Sequence, residues 1–341
     1  MTSLRHRNKD QHINENTPVA ATETKSSVGR AQAYENFKKE FSLWHFVDPS
    51  KPWVLVPNGS MLGFFDFTPY HWRNGPWSII GSTVCAMILV TYVYSVYTWT
   101  RTIGQGDSGG SCWSNEFYID RDDYYEPFTY EWYYNIFGFC WTIYISWNII
   151  TKSPLGIYAW MTFTVWSWTI LMIRHGLSVI VPFLHSPGSA KHAIRTVVEA
   201  LRFPTLLSAT ITTVIWNFVL GPMILFGFLK DEKQRKKFIE YFANFRMTNL
   251  HVFNIVLAIM NDGSIFVSNK RMLRDSDLVV GSFFILMYLF WYYLILDRLG
   301  IHLYAIFSPR TPFVGLYWIT AVALCFGFHR FWKSILPNSG P

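Results

Sequence analysis

His251, Asn254, Asn261 and Asp262 are four polar side chains inside an otherwise apolar run, Thr248–Val267. An imidazole can take or give a proton, a carboxylate can hold a cation, and the two amides can do both halves of a hydrogen bond. At 100° per residue the four fall at about 0°, −60°, −80° and +20°, one narrow face of a helix. Burying such groups in hydrocarbon is costly, so this face must turn away from lipid. A single histidine of this kind is more often a packing hydrogen bonder than a catalyst. The stripe adds to it a polar interior with room for a ligand or water. Thr162, Trp166 and Thr169 share a face of an earlier apolar run, Ile157–Phe183. A threonine hydroxyl is a nucleophile only when a neighbouring base takes its proton; otherwise it bonds a backbone carbonyl one turn back. Arg174 and His175 point about 120° or more away from Thr162 and belong to a separate contact, with a protein acid or a lipid phosphate as the partner of Arg174.

Other motifs mislead. Gly106-Asp107-Ser108-Gly109-Gly110 spells the surroundings of a serine-protease nucleophile, and Gly104, Gly106 and Gly109 have dinucleotide-loop spacing. Neither has the strands its chemistry requires. Asp120, Asp122, Asp123 and Glu126 read as a solvated acidic loop without EF-hand spacing. Cys85, Cys112, Cys140 and Cys325 show no CxxC or zinc pattern. No metal or cofactor is expected. Asn58-Gly59-Ser60 is a glycosylation sequon, expected on a side where it stays unmodified.

The elements that must position these residues follow from composition. Of 341 residues, 51% are hydrophobic and only 15% charged, well below the roughly 25% of soluble domains. That excludes an ordinary soluble enzyme. The net charge of +7 resides in short loops between apolar runs, which fits membrane topology rather than nucleic acid. Crossing the bilayer takes roughly 20 apolar residues. Seven runs qualify: Trp77–Trp99, Trp132–Ile150, Ile157–Phe183, Phe203–Leu229, Thr248–Val267, Leu278–Leu296 and Pro312–Trp332. The expected fold is an all-α polytopic transmembrane bundle over residues 77–335. A polar tail and interfacial segment, 1–76, precedes it and a short tail, 336–341, follows.

With seven spans, the N-terminal tail and loops 151–156, 230–247 and 297–311 share one side and hold 18 Lys/Arg, against 10 opposite. The positive-inside rule places that side in the cytoplasm, or in the matrix of a mitochondrion. The acidic 100–132 loop then faces away. Thr162 and His251 both enter from the tail side, about 5–8 Å below one interface at 1.5 Å per residue, a placement in which they could meet.

Over residues 130–335 the chain resembles the androgen-induced protein family, which includes the androgen-dependent TFPI-regulating protein. The resemblance rests on Tyr158-Ala-Trp-Met-Thr162-Phe163, Phe203-Pro204, Asn249-Leu-His251, Tyr288-x-x-Trp291 and Gly300-Ile-His-Leu-Tyr304. It implies six family-like spans plus one extra N-terminal span. It also implies an intramembrane hydrolase of fatty acid esters of hydroxy fatty acids, with Thr162 as nucleophile and His251 as base. The family's Tyr-Pro-Phe element reads Tyr304-Ala305-Ile306, and its late acidic residue in the fifth span reads Asn261, with Asp262 beside it. The alternative is a non-catalytic accessory subunit of a membrane complex, such as one of the mitochondrial inner membrane, that keeps the fold and binds lipid. Membrane lipids are the expected partners in either case, and other subunits could dock on the N-terminal tail. The compartment stays open between endomembrane and mitochondrial inner membrane.

Overall fold

The computed structural model describes residues 77–104, 117, 126–152, 156–184, 189–229, 231–262, 271–297, 304 and 308–336. The N-terminal tail with its sequon, the Gly106–Gly110 motif, the Asp120–Asp123 carboxylates and most of the Gly300–Ile306 element lie outside those residues. Every regular element among the described residues is helical. The elements are α1 (Ile79–Gly104), α2 (Tyr130–Lys152), α3 (Phe163–Ile180), α4 (Ser189–Ala200) and α5 (Arg202–Val214). They continue with α6 (Glu232–Phe242), α7 (Phe245–Thr248), α8 (Asn254–Asp262), α9 (Asp275–Trp291) and α10 (Val314–Ile335).

Wider π-helical turns extend three of these rods. Ile215–Leu220 and Met223–Phe228 prolong α5, Asn249–Phe253 joins α7 to α8, and Tyr292–Leu296 prolongs α9. Five rods are long and apolar enough to cross a bilayer: Ile79–Arg101, Phe163–Phe183, Lys191–Gly227, Asp275–Leu296 and Val314–Ile335. The chain is therefore an integral membrane protein of the all-α class. The α2 rod and the α7–α8 rod carry more polar side chains, among them the buried Asn135, Thr142, Asn148, Asn254 and Asn261.

Helix α5 is the centre of the bundle and packs against α3, α8, α9 and α10. Every residue from Arg202 to Thr210 is buried, so this stretch is enclosed all round, which keeps Arg202, Thr205, Ser208 and Thr210 away from lipid. Helices α2 and α3 form a close pair, and Gly138 makes it possible: a Cβ there would lie 2.5–2.7 Å from the His175 ring atoms. Helix α1 is peripheral. Only 6% of its apolar window is buried inside the protein, and it packs mainly on α10, where Gly81 lets it approach Val314.

The structure departs from the sequence expectation at the third span. That span was expected to start at Ile157, with Thr162 five residues inside it. Instead Gly156–Met161 is a 3-10 turn, Thr162 has extended backbone (φ −86°, ψ 144°), and the α-helix begins at Phe163. The cause is a clasp around Trp160. Its indole N–H donates to Thr169 Oγ1 (2.9 Å), and its carbonyl accepts from the Trp166 indole (2.8 Å). The shared face of Trp166 and Thr169 thus anchors the preceding turn. Two helices were also unforeseen: α4, which lengthens the fourth rod, and α6, within the 230–247 loop.

Candidate functional site

Thr162 caps α3. Its hydroxyl donates to the Ala159 carbonyl (2.8 Å) and accepts from the Val165 N–H (3.3 Å). This satisfies one of the amide groups that a helix start leaves open. Both functions of the hydroxyl are thereby used within its own segment.

His251 lies on the π-helical stretch between α7 and α8 and is buried. Its ring stacks on Trp216 at 4.2 Å between centroids and 14° between planes. Trp216 in turn stacks on Phe242 (5.6 Å, 9°), whose ring Gly221 admits, since a Cβ there would lie 2.6 Å from it. The imidazole is hydrogen-bonded to the backbone of Thr212, and Nδ1 has no partner. The two residues that the family resemblance pairs are therefore not hydrogen-bonded to each other. Thr162 engages its own turn, and His251 engages the π-helical end of α5.

Around His251 the structure assembles groups that sequence reasoning missed. Thr212 Oγ1, Thr213 Oγ1, Trp216 Nε1 and Asn254 Oδ1 are buried without hydrogen-bond partners. Elsewhere in this bundle threonines back-bond normally: Thr142 to Gly138, Thr205 to Leu201 and Thr210 to Leu206. Unpaired buried polar atoms are rare and costly, and these four, with His251 Nδ1, lie on the two segments that Asn217 joins. Asn217 ties those stretches together, its side-chain amide donating to the His251 carbonyl (2.9 Å) and the Thr213 carbonyl (2.8 Å). Such π turns recur at functional sites. The one advance signal was the run of polar residues Thr210, Thr212, Thr213 and Asn217 in an otherwise apolar span.

The stripe continues through the bundle. Asn254 Nδ2 donates to Ser167 Oγ (3.0 Å), which bonds Ser208 Oγ (3.0 Å). Further along α8, Asn261 Nδ2 donates to Asn135 Oδ1 (2.7 Å) and lies 2.9 Å from His175 Nδ1. Arg174 is buried inside the protein. It donates to the Val198 carbonyl (3.0 Å), the Asn261 carbonyl (2.7 Å) and the Asn261 side chain. Asp262 forms an enclosed ion pair with Arg202, whose second contact is the Arg271 carbonyl. Arg271 completes this end by bonding both oxygens of Asp277 (2.7 and 2.8 Å) with Glu199 nearby. Burial works against the Arg271 charge, but the Asp277 hydrogen bond and the two carboxylates hold its pKa above the ordinary value.

The stripe therefore has two ends of different character. The Arg174–Asp262 end is a largely paired polar lock, in which Arg271 Nε and Glu199 Oε2 face each other as ions at 3.6 Å and His175 Nε2 has no hydrogen-bond partner. The His251 end holds the larger group of unpaired atoms and is the candidate site. Among the described residues no group of three or more His, Cys, Asp or Glu side chains is arranged to hold a metal ion. Comparison with protein-family models, curated proteins and solved structures finds no match to this chain.

Proposed function

We propose that this is a seven-span membrane protein that receives a lipid ester beside His251 and hydrolyses it. The observation that carries the reading is His251 Nδ1, an unpartnered imidazole nitrogen among unpartnered hydroxyl, indole and amide groups. With the ring held through Thr212 and Trp216, Nδ1 is the nitrogen left to act as a base. A threonine hydroxyl would attack the acyl carbonyl while His251 takes its proton and returns it to the departing alkoxide. Water then cleaves the acyl-threonine and restores the hydroxyl. The family resemblance assigns the attacking hydroxyl to Thr162, which must give up its bond to Ala159 to react. The seven spans comprise the five apolar rods together with α2 and the α7–α8 rod, whose polar side chains are covered by their neighbours.

A second reading has its own observation. The Thr162 hydroxyl is engaged twice within its own turn, as in a protein that keeps the hydrolase-like fold and only binds lipid, such as an accessory subunit of a membrane complex.

One set of variants separates the two. Thr162→Asn keeps a capping side chain but removes the nucleophile, whereas Thr162→Ser keeps both. Hydrolysis of a fatty acid ester of a hydroxy fatty acid by the purified protein should survive Thr162→Ser. Thr162→Asn and His251→Ala should each cut it by orders of magnitude, and combining them should cost little more, because the pair acts as a unit. Activity unchanged in Thr162→Asn removes Thr162 from the mechanism. A wild-type protein that binds the ester and never cleaves it establishes the second reading.

A further inference from the structure

A separate feature shares no residue with the His251 cluster. Helices α1, α9 and α10 enclose a groove of about 720 Å³. Its walls are apolar, with Ile88 and Thr91 from α1, Ile285 and Leu289 from α9, and Val322 and Phe326 from α10. Helix α1 is held at its start by the close approach of Gly81 to Val314 and of Gly315 to Val84. Farther along, the Tyr92 hydroxyl donates to the Val279 carbonyl (2.9 Å). The groove runs beside these contacts to one end of the bundle, where Trp99, Asp275, His329 and Arg330 line it.

At that end the chemistry changes. A second depression of about 570 Å³, lined by Arg271, Arg274, Asp275 and Lys333 among others, shares Asp275 with the groove. Lys333 stands one turn beyond His329 and Arg330 on α10. The charges facing this end are Arg271, Arg274, Arg330 and Lys333 against Asp275, Asp277 and Glu199. Arg271 is committed to Asp277 and Glu199. Arg330 and Lys333 form no ion pair among the described residues, so the mouth is left cationic. His329 Nε2 faces the Arg274 carbonyl (3.0 Å).

We infer that this groove is a binding site for one acidic glycerophospholipid, its acyl chains between α1, α9 and α10 and its phosphate at Arg330, Lys333 and Arg274. An apolar cleft open to hydrocarbon fills with acyl chain, because an empty one forfeits dispersion contacts on both walls. The cations at the mouth select the headgroup, since basic side chains near the membrane surface attract anionic lipid. The site is independent of the His251 reading.

The test is native mass spectrometry of the full chain in detergent, titrated separately with dioleoyl-phosphatidylglycerol, dioleoyl-phosphatidylcholine and inorganic phosphate. Wild type should retain one phosphatidylglycerol in preference to phosphatidylcholine. Arg330→Gln/Lys333→Gln, which alters outward-reaching side chains, should weaken phosphatidylglycerol roughly 25-fold, roughly fivefold per charge. Ala321→Trp, which fills the groove, should abolish retention of both lipids in a protein that still elutes as a folded species. Equal retention of the two lipids overturns the proposal, as does an unaltered affinity in the double variant. Displacement of the lipid by inorganic phosphate at equal concentration would show a free-anion site and overturn it too.

Discussion

Single residues in this protein divide into those whose polar atoms are satisfied and those whose are not. Asp262 belongs to the first group: it and Arg202 are 0% and 1% exposed, so neither charge has water to fall back on. Removing one charge of such a pair leaves the other buried and uncompensated. Asp262→Asn should therefore lower stability by about 3–5 kcal/mol in detergent unfolding. A melting profile equal to wild type would mean that the pair is open to water. Thr162 is also satisfied, and loss of its cap in Thr162→Ala should cost about 1 kcal/mol irrespective of any chemistry. His251, Thr212, Thr213 and Trp216 form the second group. Their desolvation is not recovered within the chain, which is why the site is placed there and not at the lock around Arg174.

At the scale of helices, close approach is controlled by a few glycines. Gly138 on α2 faces the His175 imidazole, and the space a methyl group would need is already occupied. Gly138→Ala should push His175 away from Asn135 and Asn261 and destabilise the protein by about 1–3 kcal/mol, the usual cost of overpacking. Gly227→Ala is the control, since nothing lies within 4 Å of a Cβ there, and its stability should change by less than about 0.5 kcal/mol. Equal melting temperatures for the two variants would contradict the α2–α3 packing. The π-helical stretches matter at the same scale. They widen α5 and the α7–α8 rod where the two face each other, and Asn217 bridges them with one bond to the His251 carbonyl while its second returns to Thr213 in its own helix.

Across the whole molecule, α5 is enclosed by its neighbours while α1 hangs on the outside by Gly81 and Tyr92. The seven crossings proposed above would put the N-terminal tail and residues 231–247 on one side of the membrane and residues 105–125 on the other. Single cysteines introduced into each segment and labelled with an impermeant maleimide should react from those two sides accordingly. Labelling of all three from the same side would refute this topology.

The all-helical class, the five apolar rods and the polar stripe of α8 were legible in the sequence. Hydropathy and the 3.6-residue period are local properties, so Asn254, Asn261 and Asp262 had to face protein wherever their helix packed. Cost alone left Arg174 either inside the protein or snorkelling to headgroups, with an acid or a phosphate as partner; tertiary packing chose burial and supplied other partners. They are the Val198 and Asn261 carbonyls and the Asn261 side chain, on elements far along the chain. Thr162 looked like a residue inside a span because nothing local marks the Trp160 clasp that delays α3 until Phe163. The group of unpartnered polar atoms around His251 was the least visible feature of all. Threonines in an apolar helix ordinarily bond their own backbone, and only the packing of α5 against the α7–α8 rod reveals that Thr212 and Thr213 do not. Local pattern determines which residues are helical and which face is polar; tertiary packing determines which polar atoms find partners and which are left available.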